Sequence, residues 1–468
     1  MYHECFLPEH KNNPLIEALP PLVDDLEIIK RLRYGQQCNP EERTHPDFIR
    51  KKYLHRIDQF TEPTYEYVTC FRAIEDLITE SYVPKNPFLN TTRHWLHYDE
   101  PGKTRYVPSN GLFVPRAVSM AVIGDGGAGK SWMLENILRY FPQTIQHKRY
   151  QGKPLKLDQV VWIKVNCTEN ANVSALLILI LEELDRLTGS DDARRALTAR
   201  DRIAHASLSI SRKLKALFVG ILVIDEIQHL KFADKKQKAI FIQFLLNTMA
   251  RAGVPVVFGG DPRLKELMTE ELPVSRRVES GGFISMRGYT EHEWELFFSH
   301  LWRYQWTNPV TPPSQELSDC LRVLSTGLPD FAIKTFKAAQ KLVIGSGNET
   351  LSPAILKQAH FETCVLSEAH LAERRKANNP VRDEKVEANA PRPGDIKKKT
   401  KKKPKSTWDV NRVQHDEFES RIAKVRELNF ASQDFIWNVL RKASEFPDPM
   451  ESLEKSKILL RHSKTLSF

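Results

Sequence analysis

AVIGDGGAGKS, residues 121–131, decides how the rest of the chain is read. Its last eight residues are Gly124, Asp125, Gly126, Gly127, Ala128, Gly129, Lys130 and Ser131. They fit the spacing G-x-x-x-x-G-K-[ST]. Glycines there permit backbone angles that turn successive N–H groups onto one anion. A helix start behind them adds partial positive charge. The flanks agree. Ser119–Ile123 is short and apolar, as a buried parallel strand is. Leu134, Ile137, Leu138 and Phe141 then recur at helical spacing across and just past 132–140. The spacing predicts strand, loop, helix, with the loop around the phosphates of ATP. Lys130 would reach the β- and γ-phosphates, and Ser131 would ligate Mg²⁺.

Toward the C-terminus, Gln159–Asn166 (QVVWIKVN) is β-branched and apolar and predicts a second parallel strand. Val173–Thr188 predicts a helix capped by Asn172 or Ser174, and Ala193–Leu217 a longer polar one. Gly220–Glu226 (GILVIDE) is an apolar strand that ends in two carboxylates. A carboxylate at the C-terminal end of a buried strand, beside a phosphate loop, holds Mg²⁺ through water. That selects Asp225. Glu226 next to it is placed to orient and deprotonate an attacking water. A helix over Lys238–Ala250 and a strand over Val254–Gly260 follow. Asp261, at that strand's end, takes the position of a polar residue that senses the γ-phosphate or the water. Arg276 and Arg277 read either as an arginine finger into a neighbouring subunit or as surface charge or DNA contact. Strands alternating with helices predict an α/β fold with a parallel sheet and ligand at its C-terminal edge.

Thr290–Thr307 and Pro313–Leu342 predict a small helical lid. Lys334, in a helix begun at Gly327–Asp330, is a candidate second sensor for the nucleotide. Ser352–Ala377 predicts one further helix. Residues 377–406 are rich in Pro, Asn, Glu and Lys, with Lys397–Lys399 and Lys401–Lys403 as a charge run, and read as a disordered basic linker. Beyond it, Phe435, Ile436, Val439 and Leu440 give a tail helix an apolar face that suits partner docking. Ahead of the core, Leu22–Leu32 and Pro63–Glu80 carry helical patterns. His94 and His97 stand at i,i+3, without a Cys or carboxylate at matching spacing, so a packed surface outweighs a metal pair there. Prolines 84, 87, 101, 108 and 115 mark an extended approach. The expected division is a docking region 1–114, an ATPase core 115–290, a lid 291–376, the linker 377–406 and a helical tail 407–468.

Composition bounds these readings. At 468 residues the chain exceeds one ordinary domain, and 41% hydrophobic content suffices for a core. A net charge of +10 favours an anionic partner such as nucleic acid, although lysine excess also occurs on plain solvated surfaces. The six cysteines are scattered with no C-x-x-C, as expected of reduced thiols. No apolar segment follows a basic start, so no signal peptide is expected. The apolar stretch Val173–Leu184 is interrupted by Glu182 and Glu183 and is too short to span a bilayer, so no membrane role is expected.

With these residues assembled, the chain resembles the AAA+ ATPase regulators of targeted DNA transposition, of the TnsC/TniB type. The likeness lies in GDGGAGKS with Phe141-Pro142-Gln143 after it, in Val160–Cys167 with the leucine-rich helix behind, in GILVIDEIQHL (220–230), and in GVPVVFGGD (253–261) with Arg276, Arg277 and Gly281. It covers residues 115–345. Asp261 stands where such proteins more often carry Thr. The resemblance implies an AAA+ P-loop ATPase core with a helical lid, and ATP hydrolysis with Mg²⁺. It also implies assembly of a homo-oligomeric ring or filament on duplex DNA without sequence preference. The partners would be a transposase and a TniQ/TnsD-type target-selection protein, in a bacterial cytoplasm at the nucleoid. Two other readings stay open: another DNA-associated AAA+ protein of the initiator or helicase-loader kind, and a nucleotide-switch adaptor that hydrolyses poorly.

Overall fold

The computed structural model describes residues 2–35, 38–97, 118–168, 172–229, 235–269 and 272–378. The expected linker and tail, and the prolines at 101, 108 and 115, lie outside the described residues.

Besides short 3-10 turns, five helices precede the sheet: α1 (Pro14–Glu17), α2 (Asp25–Leu32), α3 (Asp47–Tyr53), α4 (Tyr65–Tyr82) and α5 (Asn90–His97). Then come β1 (Ser119–Gly124), α6 (Lys130–Tyr140), β2 (Thr144–Tyr150), β3 (Lys153–Val160), β4 (Trp162–Asn166), α7 (Val173–Thr188), α8 (Asp192–Thr198), α9 (Arg202–Ala216), β5 (Ile221–Asp225), α10 (Lys235–Ala252), β6 (Val256–Gly260), α11 (Pro262–Thr269), α12 (Leu272–Val278) and β7 (Phe283–Met286). Five helices close the described chain: α13 (Glu291–Leu301), α14 (Gln315–Ser325), α15 (Pro329–Val343), α16 (Pro353–Thr363) and α17 (Glu368–Asn378). Among the described residues no helix is long and apolar enough to cross a membrane.

The sheet has the order β4-β5-β6-β1-β7, and every pair in it is parallel. Parallel strands are buried on both faces, which is why β1, β5 and β6 read as unbroken apolar runs. Alternate residues divide between two cores. Ala121, Ile123, Leu222, Ile224 and Phe258 meet α7, α9 and α10 through Leu181, Ile210 and Leu245. Met120, Val122, Val223 and Val257 meet α6 through Met133 and Ile137, and α4 through Phe71, Ile74 and Ile78. Each of these α4 side chains is fully buried, worth roughly 1.5–3 kcal/mol apiece. So the N-terminal region supplies one cover of the sheet.

A third core fills the lid, with Trp294, Phe297, Leu321, Phe336 and Leu356 at its centre. Leu54, Ile57 and Phe60 of the N-terminal region pack into it. Arg50 adds a bidentate pair with Glu349, at 2.5 and 2.7 Å, and both side chains are nearly buried. Burial would raise the Glu349 carboxyl, but Arg50 and the backbone N–H groups of Asn308 and Gly345 outweigh it and hold it at about 2.

Four expectations are corrected. Gln159–Asn166 is not one parallel strand. Gln159 and Val160 end an antiparallel hairpin, β2–β3, and only Trp162–Asn166 joins the sheet. Between them Val161 donates its N–H to Gln143 O. Ala193–Leu217 is two helices, because Asp201 caps a new start by accepting from Ala204 N. The helix expected over Thr290–Thr307 ends at Leu301, and its start is set by a capping box of Thr290 and Glu293. Ser352–Ala377 breaks at Cys364–Ser367, after which α17 turns back toward the phosphate loop. The cap of α7 is Asn172, which accepts from Ala175 N. All six cysteines are free.

Candidate functional site

The loop after β1 folds as its glycines require. Gly127 and Gly129 have φ of 82° and 89°, a region side chains avoid. At Gly127 a Cβ would also lie 2.8 Å from the Phe331 ring. Lys130 opens α6, and its ammonium donates to the Asp125 carbonyl at 3.1 Å. The lid closes on the loop from above: Asp330 N, in the first turn of α15, donates to Gly127 O at 3.3 Å. From the far end of α17, Arg374 pairs with the Asp125 carboxylate.

β5 and the residue after it deliver the two carboxylates two strands from β1, with β6 in between. Asp225 is buried against β6, where a Cβ on Gly259 would come within 2.5 Å of its Oδ1. Lys164 lies 3.6 Å from Asp225 Oδ2 and 2.8 Å from Glu135. Glu226 is not glycine yet has φ of 56°. Its N–H donates to Asp225 Oδ1 at 3.0 Å, and this turn sends its side chain away from the strand. Gln228 Nε2 donates to the Glu226 carboxylate, and His229 Nε2 stands 3.5 Å from it. Gln228 Oε1 is buried without a partner. Burial first, then the carboxylates of Asp225 and Glu226, push the nearby Cys167 thiol up to about 12.

A cleft of about 520 Å³ brings the loop, Glu226 and the lid together, while Asp225 lies behind its lining. Gly126, Gly127, Gly129, Lys130 and Ser131 form its floor, Glu226 stands on one side, and Lys334 of the lid on another. Lys334 pairs with Asp330 at 2.7 Å. Gly124, Asp125 and Ala128 complete the loop and do not line the cleft. Asp261 ends β6 as expected, but its carboxylate is taken by Arg263, at 2.8 Å from Nε. Arg276 and Arg277 are exposed on α12, and Arg277 donates to Asn247 at 2.7 Å; neither lines the cleft of its own chain. His94 and His97 fall on α5, and among the described residues no group of three or more metal-ligating side chains forms.

The rest of the lining was not anticipated. Thr61, Glu62 and Tyr67 come from the N-terminal region, Tyr289 from the turn into the lid, and Phe297 and Ile333 from the lid itself. They make an apolar, aromatic chamber beside the phosphate loop. Thr61 accepts from Trp132 Nε1 at 2.5 Å, which pins the segment between the two cores onto α6. Glu62 is held by Arg33 at 2.5 Å and His300 at 2.7 Å. The only sequence signal was the break between Phe60 and the helix at Tyr65, which says nothing of what the break faces.

Sheet order, phosphate loop and lid define the fold as a P-loop ATPase core of the AAA+ type. Residues 116–268 match the AAA domain family. No curated protein matches the chain. Among solved structures, the ORC2 protein of Aeropyrum pernix in its ADP form aligns at 16% identity over 62% of this chain and 84% of its own, with a TM-score of 0.36. Cdc6p of Pyrobaculum aerophilum aligns at 15% over 52% of this chain and 60% of its own, with 0.37. The ORC1 protein of Aeropyrum pernix in complex with DNA aligns at 14% over 53% and 60%, with 0.35. The chain thus spans less than two thirds of the last two. With TM-scores this low, none of them bears on its function.

Proposed function

We propose that this chain is an ATPase that assembles as a homo-oligomer on duplex DNA and regulates DNA transposition, with hydrolysis controlling assembly and release. The observation that carries the ATPase reading is the cleft. It unites the phosphate loop, the Glu226 carboxylate just past the end of β5 and a lid cation around a chamber large enough for a nucleotide. In this reading the aromatic chamber takes the base, and the loop N–H groups take the phosphates. Lys130 leaves the Asp125 carbonyl for the β- and γ-phosphates. Ser131, in the cleft lining, would hold Mg²⁺ directly and Asp225, behind it at the end of β5, would hold it through water; the ion would neutralise charge on the transferring group. Glu226, steadied by Gln228 and His229, accepts the proton of the attacking water. Lys334 follows the nucleotide from the lid, and Asp261 from the end of β6. Arg276 or Arg277 serves a neighbour's site.

Support for the transposition part is the sequence likeness in 220–230 and 253–261. The partners would be a transposase, docked by 407–468, and a TniQ/TnsD-type selector, docked by 1–114. The basic balance suits a DNA grip without sequence preference. The test pairs two variants. Lys130→Ala should lose a fluorescent ATP analogue and, with it, ATP-dependent assembly on DNA. Glu226→Gln should keep the analogue while hydrolysis falls about 10²–10⁴-fold. Unchanged affinity in the first variant, or unchanged turnover in the second, sinks the assignment.

A further inference from the structure

The hairpin β2–β3 stands outside the main sheet as a separate two-stranded ribbon, inserted between α6 and β4. One of its faces is fixed to the body. His147 is buried, with Nε2 2.8 Å from Gln159 Oε1 and Nδ1 2.8 Å from the Tyr2 hydroxyl. Gln159 donates onward to Leu15 O at 2.9 Å, and the Tyr150 hydroxyl donates to Glu17 at 2.8 Å. Leu155 is buried beside them.

Toward its tip the ribbon is basic: Lys148, Arg149, Lys153 and Lys156 are all exposed, and the one acid of the two strands, Asp158, is exposed nearer the base, opposite Gln146. Among the described residues none of the four forms an ion pair; Lys153 alone has a further contact, 5.9 Å from the Phe88 ring centre. Some surface cations elsewhere find acids, as Arg186 finds Glu183 and Lys334 finds Asp330, and others such as Lys30 and Arg212 do not among the described residues, so it is the clustering of four within nine residues that marks the ribbon. Arg149 faces Pro154 on the outer face, with Lys156 two residues beyond Pro154 on that same face; Lys153 faces the buried Tyr150 one rung nearer the turn and lies at the tip beside Phe88. The irregularity between His147 and Arg149 adds Lys148 to the same end. Gln151 and Gly152, at φ of 46° and 76°, close the ribbon in a tight turn.

Lysines do guard free strand edges against pairing with other chains. Here three cations stand at the tip, where the strands turn and no edge needs guarding, and a fourth stands behind them. We propose that the exposed face of the β2–β3 ribbon is a phosphate-gripping surface for duplex DNA. It rests on the DNA-binding reading above and names the element that makes the contact. The ribbon is about 25 Å long at roughly 3.3 Å per residue, and a duplex carries one charge per about 1.7 Å of axis, so all four cations can meet phosphates within one helical turn. Lysine and arginine on phosphates hold position without reading bases. The fixed inner face keeps the cations in place before the duplex arrives, which lowers the ordering cost of binding.

The test is a four-fold variant of the full chain, Lys148→Gln, Arg149→Gln, Lys153→Gln and Lys156→Gln together. Duplex binding is measured with ATP between about 50 and 200 mM salt. The slope of log affinity against log salt should become shallower by about 0.9 for each lost contact, up to roughly 3.6 in all. Affinity for a fluorescent ATP analogue should not move, since none of the four lines the cleft. A companion with Lys148, Lys153 and Lys156 changed to Arg should keep the wild-type slope, which separates lost charge from lost structure. If the wild-type chain shows no salt-sensitive duplex binding, the DNA reading falls and the ribbon with it. If the wild type binds and the glutamine variant keeps its slope, the ribbon alone is overturned. Loss of binding to single-stranded RNA with duplex binding intact would overturn it too, in favour of RNA.

Discussion

The N-terminal region grips the rest of the molecule twice, and the two grips are made of different materials. On the sheet, α4 buries Phe71, Ile74 and Ile78, and Phe71 stacks on Phe141 with ring centres 5.7 Å apart. Its end is fastened by hydrogen bonds, from the Tyr82 hydroxyl to Val160 O at 3.2 Å and from Lys85 Nζ to Val219 O at 2.8 Å. On the lid, Arg50 clasps Glu349, Lys337 holds Asp58 at 2.5 Å, and Arg56 and Trp306 share Glu42. The cleft above the phosphate loop lies between the two grips. Apolar burial is indifferent to pH and salt near neutrality, whereas buried ion pairs are sensitive to the protonation of either member. The two walls of the cleft should therefore fail under different conditions.

Arg50→Ala is expected to have the largest effect. It leaves Glu349 buried without its partner and should cost about 3–5 kcal/mol at pH 7 in chemical denaturation. The cost should shrink in acid. Glu349 sits at about 2 against an ordinary 4.5, so its contribution is present above 4.5 and is lost as pH falls towards 2. A cost that stays constant down to pH 3 would show that the lid grip is not ionic. Phe71→Ala should cost about as much or slightly less, about 3–4 kcal/mol, because it opens a cavity against Phe141 and Tyr140. Here no acid dependence is expected. If Phe71→Ala leaves the main unfolding transition where it was, the N-terminal region is a separate module and the contrast between the grips dissolves.

The smallest effect belongs to Lys85. Burial pulls its ammonium down to about 7, against 10.5 for the free side chain. Between those values the unfolded chain binds the extra proton, so stability should rise with pH across that window and stay at its lower level below 7. Lys85→Met should flatten the rise, which from pH 7 to 9 amounts to about 2 kcal/mol. Equal pH slopes in variant and wild type would mean that Lys85 stays charged in the fold.

These grips also mark where the sequence stops being informative. The phosphate loop, the strand ending at Asp225 and the helix Val173–Thr188 could be read because each is a local pattern, set by glycine spacing, apolar runs or helical periodicity. The join at Val161, the cap at Asp201 and the break at Cys364–Ser367 were missed, because a few backbone hydrogen bonds decide them within otherwise continuous patterns. The cleft was half legible. Its phosphate end is one contiguous motif. Its other end brings Thr61, Glu62 and Tyr67 to Tyr289 and Phe297 across more than 200 positions of chain, and no periodicity spans such a gap.

Glu226 carries one more consequence. A left-handed backbone costs a side chain about 1–2 kcal/mol, and glycine would relieve it. Breeding this protein for heat resistance alone, with no demand for activity, should therefore favour Glu226→Gly. The survivors would have lost the carboxylate that Glu226 sets into the cleft, and a screen that scores only folding would not register the loss.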